Sequence, residues 1–511
     1  MRKKNTNTWL LSEAISPDQL IEEIAKDFSV QVELPQKTTV TYFDSFDWRL
    51  YRKHYLLIKT DNTWQLIRRD SGNPVATFSG KGRLKRRFAG SFSSDPLHTL
   101  LSSILDIRGL IDLVTFETLS QRMRIFNADK KTVAHVNVLI HKVSARPRTV
   151  LTVSLTGVRG YKNVARKLSR YLRRCVISKL APPEYLFWEG VSAMGRLPGD
   201  YSSKFSIALK STDSIHQAAL TIYRQLFDTM KRNEAGIIED IDSEFLHDFR
   251  VAIRRTRSGL TQLKGILPPK VTESAKAGFA ELGRITGPTR DLDVYLLYEK
   301  DYLARLPKGL REGMAGFFTE MSDQRHCNWK QLVKALQSPG YRKIIGDWQA
   351  YLDGDDDKPS EHSEQPAYEY SRKIIYRRYD RIMKKGGAIS ASSPDEALHR
   401  LRIQCKKLRY SLEFFSSLYP PKAIARVIKQ LKGLQNNLGS FNDLSVQQDM
   451  LQRYLATIKP GSKKNLSLGV SIGGLLTALH HEQKEVRGKF VTTFGEFSGA
   501  KNSELFSKLF G

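Results

Sequence analysis

Cysteine is scarce: the 511-residue chain has three, Cys175, Cys327 and Cys405, far apart and without a C-x-x-C pair. That excludes a disulfide framework and a cysteine-rich zinc site, and a reducing compartment is expected. Long apolar runs are lacking too. The longest late one, residues 466–479, is broken by Ser467, Ser471, Gly473 and Gly474 and falls short of the roughly 20 residues a membrane helix needs. The basic residues 1–4 lead into a polar stretch, 5–8, where a secretory signal requires an apolar core, so a cytoplasmic protein without a membrane partner is expected. Acidic residues are in deficit, 53 against 82 Lys and Arg, for a formal charge of +29. Such a surplus repels itself unless a polyanion relieves it: nucleic acid, an anionic membrane or polyphosphate. With 40% hydrophobic and 10% aromatic residues the chain is too apolar for a disordered basic tail, and its length suggests two domains.

Between Val30 and Leu155 β-branched and aromatic residues alternate with polar ones, as in residues 39–43 (TVTYF), 55–58 (YLLI), 63–67 (TWQLI), 131–138 (KTVAHVNV) and 150–155 (VLTVSL). Turn formers separate them, which predicts short antiparallel strands forming a barrel or a sandwich over a domain of residues 1–195. Residues 196–204 read as a linker. From 205 to 511 the apolar period is helical, with Pro and Gly at the breaks. The expected fold is therefore α+β and multidomain, an antiparallel β-barrel or sandwich followed by an all-α domain.

The helical part carries an internal repeat. His247 and His399 stand 152 residues apart, and the same offset carries Arg250 to Arg402, Arg254 to Lys406, Arg255 to Lys407 and Arg257 to Arg409. It also aligns Pro268-Pro269-Lys270 with Pro420-Pro421-Lys422, and Asp291-Leu292 with Asp443-Leu444. One offset shared by such different residue types indicates duplication. Two similar helical bundles, over about residues 205–345 and 365–495, are expected to face each other. The acidic residues 353–364 between them read as a solvated connector, the sharper alternative being a polyanion mimic that occupies a basic site.

On a helix, His247, Arg250, Arg254 and Arg257 fall within an arc of roughly 80°, while Leu246, Phe249, Ile253 and Leu260 form a separate apolar stripe. His399, Arg402, Lys406 and Arg409 repeat the arrangement opposite Leu398, Leu401, Cys405 and Leu408. Ser393, Pro394 and Glu396 predict an N-cap, a first-turn proline and a capping-box carboxylate for the second helix. Stacked like charges cost a few tenths of a kcal/mol per pair, which an extended polyanion would relieve. Arginine offers a planar fork to phosphate oxygens and lysine a point charge. A histidine heading each stripe would be neutral when the site is empty and easier to protonate once phosphate arrives. Asp291 and Asp443 read as orienting groups for the basic side chains, with a catalytic acid as the alternative.

Residues 247–257 (HDFRVAIRRTR) and 399–410 (HRLRIQCKKLRY), with 290–294 (RDLDV) and 442–446 (NDLSV), resemble the CHAD family, the conserved histidine α-helical domain. The resemblance spans about residues 205–495. It implies two four-helix bundles related by a pseudo-twofold, with a basic channel that binds inorganic polyphosphate. His247, Arg250, Arg254, Arg255 and Arg257 would form one wall and His399, Arg402, Lys406, Lys407 and Arg409 the other. It also implies an association with polyphosphate granules.

Residues 41–51 (TYFDSFDWRLY) resemble the Y-F-D-T-x-D-x-x-L segment of the CYTH, or triphosphate-tunnel, family, over about residues 25–180. Active members of that family act on triphosphates in an eight-stranded tunnel, using acidic side chains to hold Mg²⁺ or Mn²⁺. Here the E-x-E-x-K signature is replaced by an isolated Glu33, and the later strands 134–141 and 150–155 carry no carboxylate. Hard divalent cations need such oxygen ligands, so a barrel without metal or other cofactor and without catalysis is expected. Arg49, Lys59, Arg68, Arg122 and Arg124 remain as cations that would face phosphate or solvent, and the barrel would bind phosphate or a protein partner.

The leading expectation is a non-enzymatic polyphosphate-binding protein. A metal-dependent triphosphatase is the first alternative. A nucleic-acid binder is the second: Tyr410 is the one aromatic near the basic faces, whereas single-strand binders interleave aromatics for base stacking. The basic loop 81–87 (KGRLKRR) keeps that alternative open.

Overall fold

A computed structural model describes residues 6–11, 16–80, 88–92, 96–144, 146–175, 177–354, 363–459 and 461–511. The basic loop 81–87 and most of the acidic connector lie outside them. The chain divides into two compact units, Met1–Ser203 and Lys204–Gly511.

The first unit is built on one antiparallel sheet. Its strands are β1 (Thr6–Leu11), β2 (Ser29–Val32), β3 (Gln36–Ser45), β4 (Tyr55–Thr60), β5 (Thr63–Arg68), β6 (Pro74–Ser79), β7 (Leu110–Phe126), β8 (Thr132–Val143), β9 (Thr149–Gly157) and β10 (Ile177–Leu180). The spatial order is β10-β1-β9-β8-β7-β3-β4-β5-β6, with β2 also on β7. Helices α1 (Pro17–Asp27), α2 (Arg49–Arg52), α3 (Pro96–Leu105), α4 (Lys162–Cys175) and α5 (Tyr185–Ala193) complete it.

Alternation along the central strands separates two faces. Met123, Ile125, Val136, Val138, Val153 and Leu155 point to one side, where α1 and α4 cover them through Leu20, Ile24, Leu168 and Leu172. Register pairs Arg122 with Asn137 and Arg124 with His135 on β7 and β8, and Asn137 with Ser154 and His135 with Thr156 on β8 and β9, so the other face is polar.

The expected barrel is not closed. Among the described residues β6 and β10 are the free ends of the sheet and do not pair. The reason is packing: Leu97, Leu101 and Leu105 of α3, with Ala89 and Phe92, cover Leu57, Trp64, Leu66 and Ala76 of β4 to β6. A helix, not a strand, buries that end of the sheet.

The stretch that resembles the CYTH segment forms a buried corner. Asp44 accepts from the backbone N–H groups of Ser45, Leu50 and Tyr51, anchoring α2, and burial pushes its carboxyl up to about 7. Asp47 accepts from the Ser45 hydroxyl and Arg49, and lies 3.6 Å from the buried Arg108. Arg49 thus spends its charge inside the corner.

The second unit is helical: α6 (Ile215–Ile238), α7 (Ser243–Gln262), α8 (Pro269–Leu297), α9 (Glu299–Arg305), α10 (Lys308–Arg311), α11 (Ala315–Leu336), α12 (Pro339–Asp353), α13 (Ala367–Gly387), α14 (Asp395–Phe414), α15 (Pro421–Leu455), α16 (Lys463–Gly488), α17 (Phe490–Ser498) and α18 (Ala500–Phe510). The helices α6, α7 and α8 begin 152 residues before α13, α14 and α15 respectively. The repeat is thus a repeat of helix starts.

The two halves share apolar packing. Leu292, Tyr295, Phe317 and Met321 share one apolar cluster with Leu444, Leu451, Ile472 and Leu475, joining α8 and α11 to α15 and α16. The start of α14 also differs from expectation. Its N-cap is Pro394 and no side chain caps it. The Ser393 hydroxyl accepts from the Ser390 N–H, while Arg487 of α16 holds the Ser393 carbonyl and the Asp395 carboxylate. Among the described residues no helix is long and apolar enough to cross a membrane.

Candidate functional site

Helices α7 and α14 start for different local reasons. Asp242 caps α7 by accepting from the N–H groups of Glu244 and Phe245, whereas α14 relies on Arg487. Both then bury one stripe, Phe245, Phe249, Ile253 and Leu260 on α7 and Leu398, Leu401, Cys405 and Leu408 on α14. The basic stripes are left on other faces.

These stripes meet. Arg254, exposed on α7, acts electrostatically on both Arg402 and Lys406 of α14. Enclosure, then Arg402 and Arg254, pushes the Lys406 ammonium down to about 8. Enclosure also lowers Arg250 and Arg402, each flanked by further cations. The Nε–H groups of both are buried and find no acceptor among the described residues. Arg250 is aimed by its Nη1, which donates to the Gly283 carbonyl at 2.9 Å and the Thr286 hydroxyl at 2.7 Å. Arg257 is exposed beside it and approaches Gly283.

The two aspartates sit at the margin. Asp443 accepts from Arg402 Nη2 at 3.3 Å. Asp291 feels Arg250, Arg290 and Arg453, yet enclosure holds its carboxyl above the ordinary range. Both lie beside arginines. Neither balances the cations around it in number.

The histidines are held by residues that are themselves repeat partners. Arg290 Nη2 lies 2.9 Å from His247 Nδ1, and His399 Nδ1 lies 2.7 Å from Asn442 Oδ1. An arginine only donates, so His247 Nδ1 accepts and its proton is on Nε2. The assigned amide oxygen of Asn442 only accepts, so His399 Nδ1 donates. The offset of 152 carries Arg290 to Asn442, so duplication kept the contact and changed its polarity. Arg290 and Asn442 open the RDLDV and NDLSV segments, but only the fold brings them to the histidines.

Two expected wall residues are engaged elsewhere, and a third faces other cations. Arg255 donates to Glu413 at 2.6 Å and stacks its guanidinium over Phe205, while Arg409 donates to the other oxygen of Glu413 at 2.7 Å and to Gln435. Glu413 thus clips α7 to α14. Lys407 responds to Arg378, Arg381 and Lys385 of α13, whereas Lys406 responds to Arg402 and Arg254. One residue along a helix is a turn of about 100°, a signal present in the sequence that separates 406 from 407 and 254 from 255.

The first unit contributes a polar cavity of about 510 Å³, lined among others by Arg122, His135, Asn137, Ser154 and Arg159. Of the five cations expected there, Arg122 lines it, Arg124 pairs with Glu33 at 2.8 Å, and Lys59 and Arg68 lie over Trp64 and Tyr55. Among the described residues no group of three or more His, Cys, Asp and Glu side chains is placed to hold a metal ion.

Residues 221–452 match the CHAD domain family, a stretch that contains both basic helices and all of the candidate binding residues. The crystal structure of the CHAD domain from the plant Ricinus communis is 26% identical, with a TM-score of 0.46, over 57% of this chain and 96% of that one. PptA from Streptomyces chartreusis is 15% identical, with a TM-score of 0.45, over 55% of this chain and 99% of that one. No curated protein matches the chain.

Proposed function

With a CHAD domain at residues 221–452, we propose that this protein binds inorganic polyphosphate between the basic stripes of α7 and α14. The observation that carries the reading is the field where Arg250, Arg254, Arg402 and Lys406 act on one another, with two buried guanidinium N–H groups lacking acceptors among the described residues. A flexible chain of phosphates supplies both acceptors and charge at short spacing. Binding without turnover fits a site whose two carboxylates lie beside arginines. The test is affinity for long-chain polyphosphate against single-stranded and duplex DNA at matched charge and physiological salt. Selective polyphosphate binding supports the reading, and equal binding to all three polymers refutes it. Retention on polyphosphate granules would follow from the same affinity.

We read the first unit as a divergent CYTH-like module that binds phosphate or a protein and does not hydrolyse triphosphate. The support is its polar face, where the one acidic residue of the cavity, Glu33, is paired with Arg124.

The pH dependence should come from Lys406. Its folded pKa, about 8, lies below the ordinary value of 10.5, and a bound polyanion raises it. Binding then takes up a proton above pH 8, so affinity is level below about pH 7 and falls by at most about tenfold per pH unit above 8. Stability of the empty protein runs the other way, because the unfolded state holds more protons between the two pKa values and stability rises with pH there. Lys406→Arg should abolish the fall in affinity, measured by titration calorimetry from pH 6.5 to 9.5.

A further inference from the structure

Helix α13 carries seven cations and two carboxylates, Glu369 and Asp380. Arg378, Arg381 and Lys385 share an arc of about 60° on its surface, and Lys407 of α14 stands in their field. Asp380 lies on a different side, where it pairs with Lys384 at 3.0 Å. Among the described residues no carboxylate pairs with any of these four cations. Arg378 is half-buried, its Nε–H is buried without an acceptor among the described residues, and enclosure and then Arg377 and Arg381 push its pKa down to about 10.

The repeat shows that the fold does not require this. The residues 152 positions earlier on α6 are Leu226, Thr229 and Asn233, in place of Arg378, Arg381 and Lys385. Leu226 is core, 1% exposed. The repeat partner of Lys407, Arg255, has the carboxylate of Glu413, whereas the position equivalent to Glu413 is Thr261. One half thus holds three uncharged residues and a paired arginine where the other, among the described residues, holds four cations without a carboxylate partner.

We propose that the α13 face with Lys407 is a second anion site, separate from the facing stripes, and that it takes a chain of inorganic phosphates. Enclosing a guanidinium among like charges is unfavourable unless an anion completes the site. Planar guanidinium forks with unpaired N–H groups suit phosphate oxygens. A base-stacking polymer suits it less, because the exposed Tyr376 lies about 160° around the helix from Arg378, and Tyr370, the aromatic that interacts with Arg378, is half-buried with its hydroxyl donating to the Gln262 carbonyl. The choice of a phosphate chain rests on the polyphosphate reading of the main site.

The test compares the full chain with two variants and with the stripe variant R250A/R254A/R402A/K406A. The first, R378L/R381T/K385N, installs the α6 residues. The second, R381E/K385E, changes only exposed positions and guards against a folding defect in the first. The probes are long-chain polyphosphate, tripolyphosphate and single-stranded DNA. Both α13 variants should weaken long-chain polyphosphate binding roughly tenfold and reduce the slope of log affinity against log salt by about two, while the first melts no lower than the parent without ligand. Unchanged polyphosphate binding in both variants, or a loss confined to DNA, overturns the second site and leaves the first standing. Loss in the α13 variants with full binding by the stripe variant overturns the main-site reading instead. No polyphosphate binding by the parent overturns both.

Discussion

Replacing Arg250, Arg254, Arg402 and Lys406 together with alanine should weaken polyphosphate binding roughly 100- to 1,000-fold at low salt. Each is a cation in the field where the two stripes meet. A charge-assisted contact that remains partly solvated contributes about 1 kcal/mol, and four amount to about 3–4 kcal/mol, with each tenfold corresponding to 1.4 kcal/mol. The salt slope should fall with it, since fewer counterions are displaced. Folding should change by only about 1 kcal/mol: Arg250 loses its bonds to Gly283 and Thr286, but mutual repulsion among the cations is relieved. Fluorescence titration with chain-length-defined polyphosphate, beside a thermal melt, checks both parts. A variant that melts normally and binds as the parent does would place the polyanion elsewhere.

Glu413→Gln should cost the helical unit about 2–4 kcal/mol. The carboxylate lies between Arg255 and Arg409, and its side chain and that of Arg255 are only 11% and 13% exposed. Removing one member of an enclosed ion cluster leaves the others without compensation, which is the costly direction. The Arg409 share is smaller because that side chain is 35% exposed and water screens it. Glutamine keeps the volume and one acceptor, so the loss reports charge and not a cavity. The same change releases two guanidinium groups beside the stripes, and polyphosphate affinity at low salt should rise severalfold. Denaturant melts and binding isotherms on one preparation separate the effects. Unchanged stability would mean that Glu413 does not clip α7 to α14.

Much of the helical unit was legible in the chain because helices are local. The offset of 152 residues is visible in the residues that repeat, and it recurs in the starts of α6, α7 and α8 against those of α13, α14 and α15. The N-cap of α14 is Pro394 rather than Ser393, at a turn held by Arg487, 92 residues away from Asp395. In the first unit the alternation gave the strands and their two faces, but not the open sheet. Closure depends on which element reaches the last strand, and α3 covers β4 to β6.

Composition, cationic surplus and the in-register stripes were determined by the sequence alone, since helical period places side chains on faces without reference to the rest of the molecule. Tertiary structure decided which cations are free for a ligand. Arg255 and Arg409 are drawn to Glu413, 158 and 4 residues away, and His247 to Arg290, 43 residues away. Lys406 and Lys407, adjacent in the chain, enter different electrostatic fields. Charge is a property of the residue, but its partner is set by how helices cross, and that crossing is fixed by packing contacts between segments far apart in the chain.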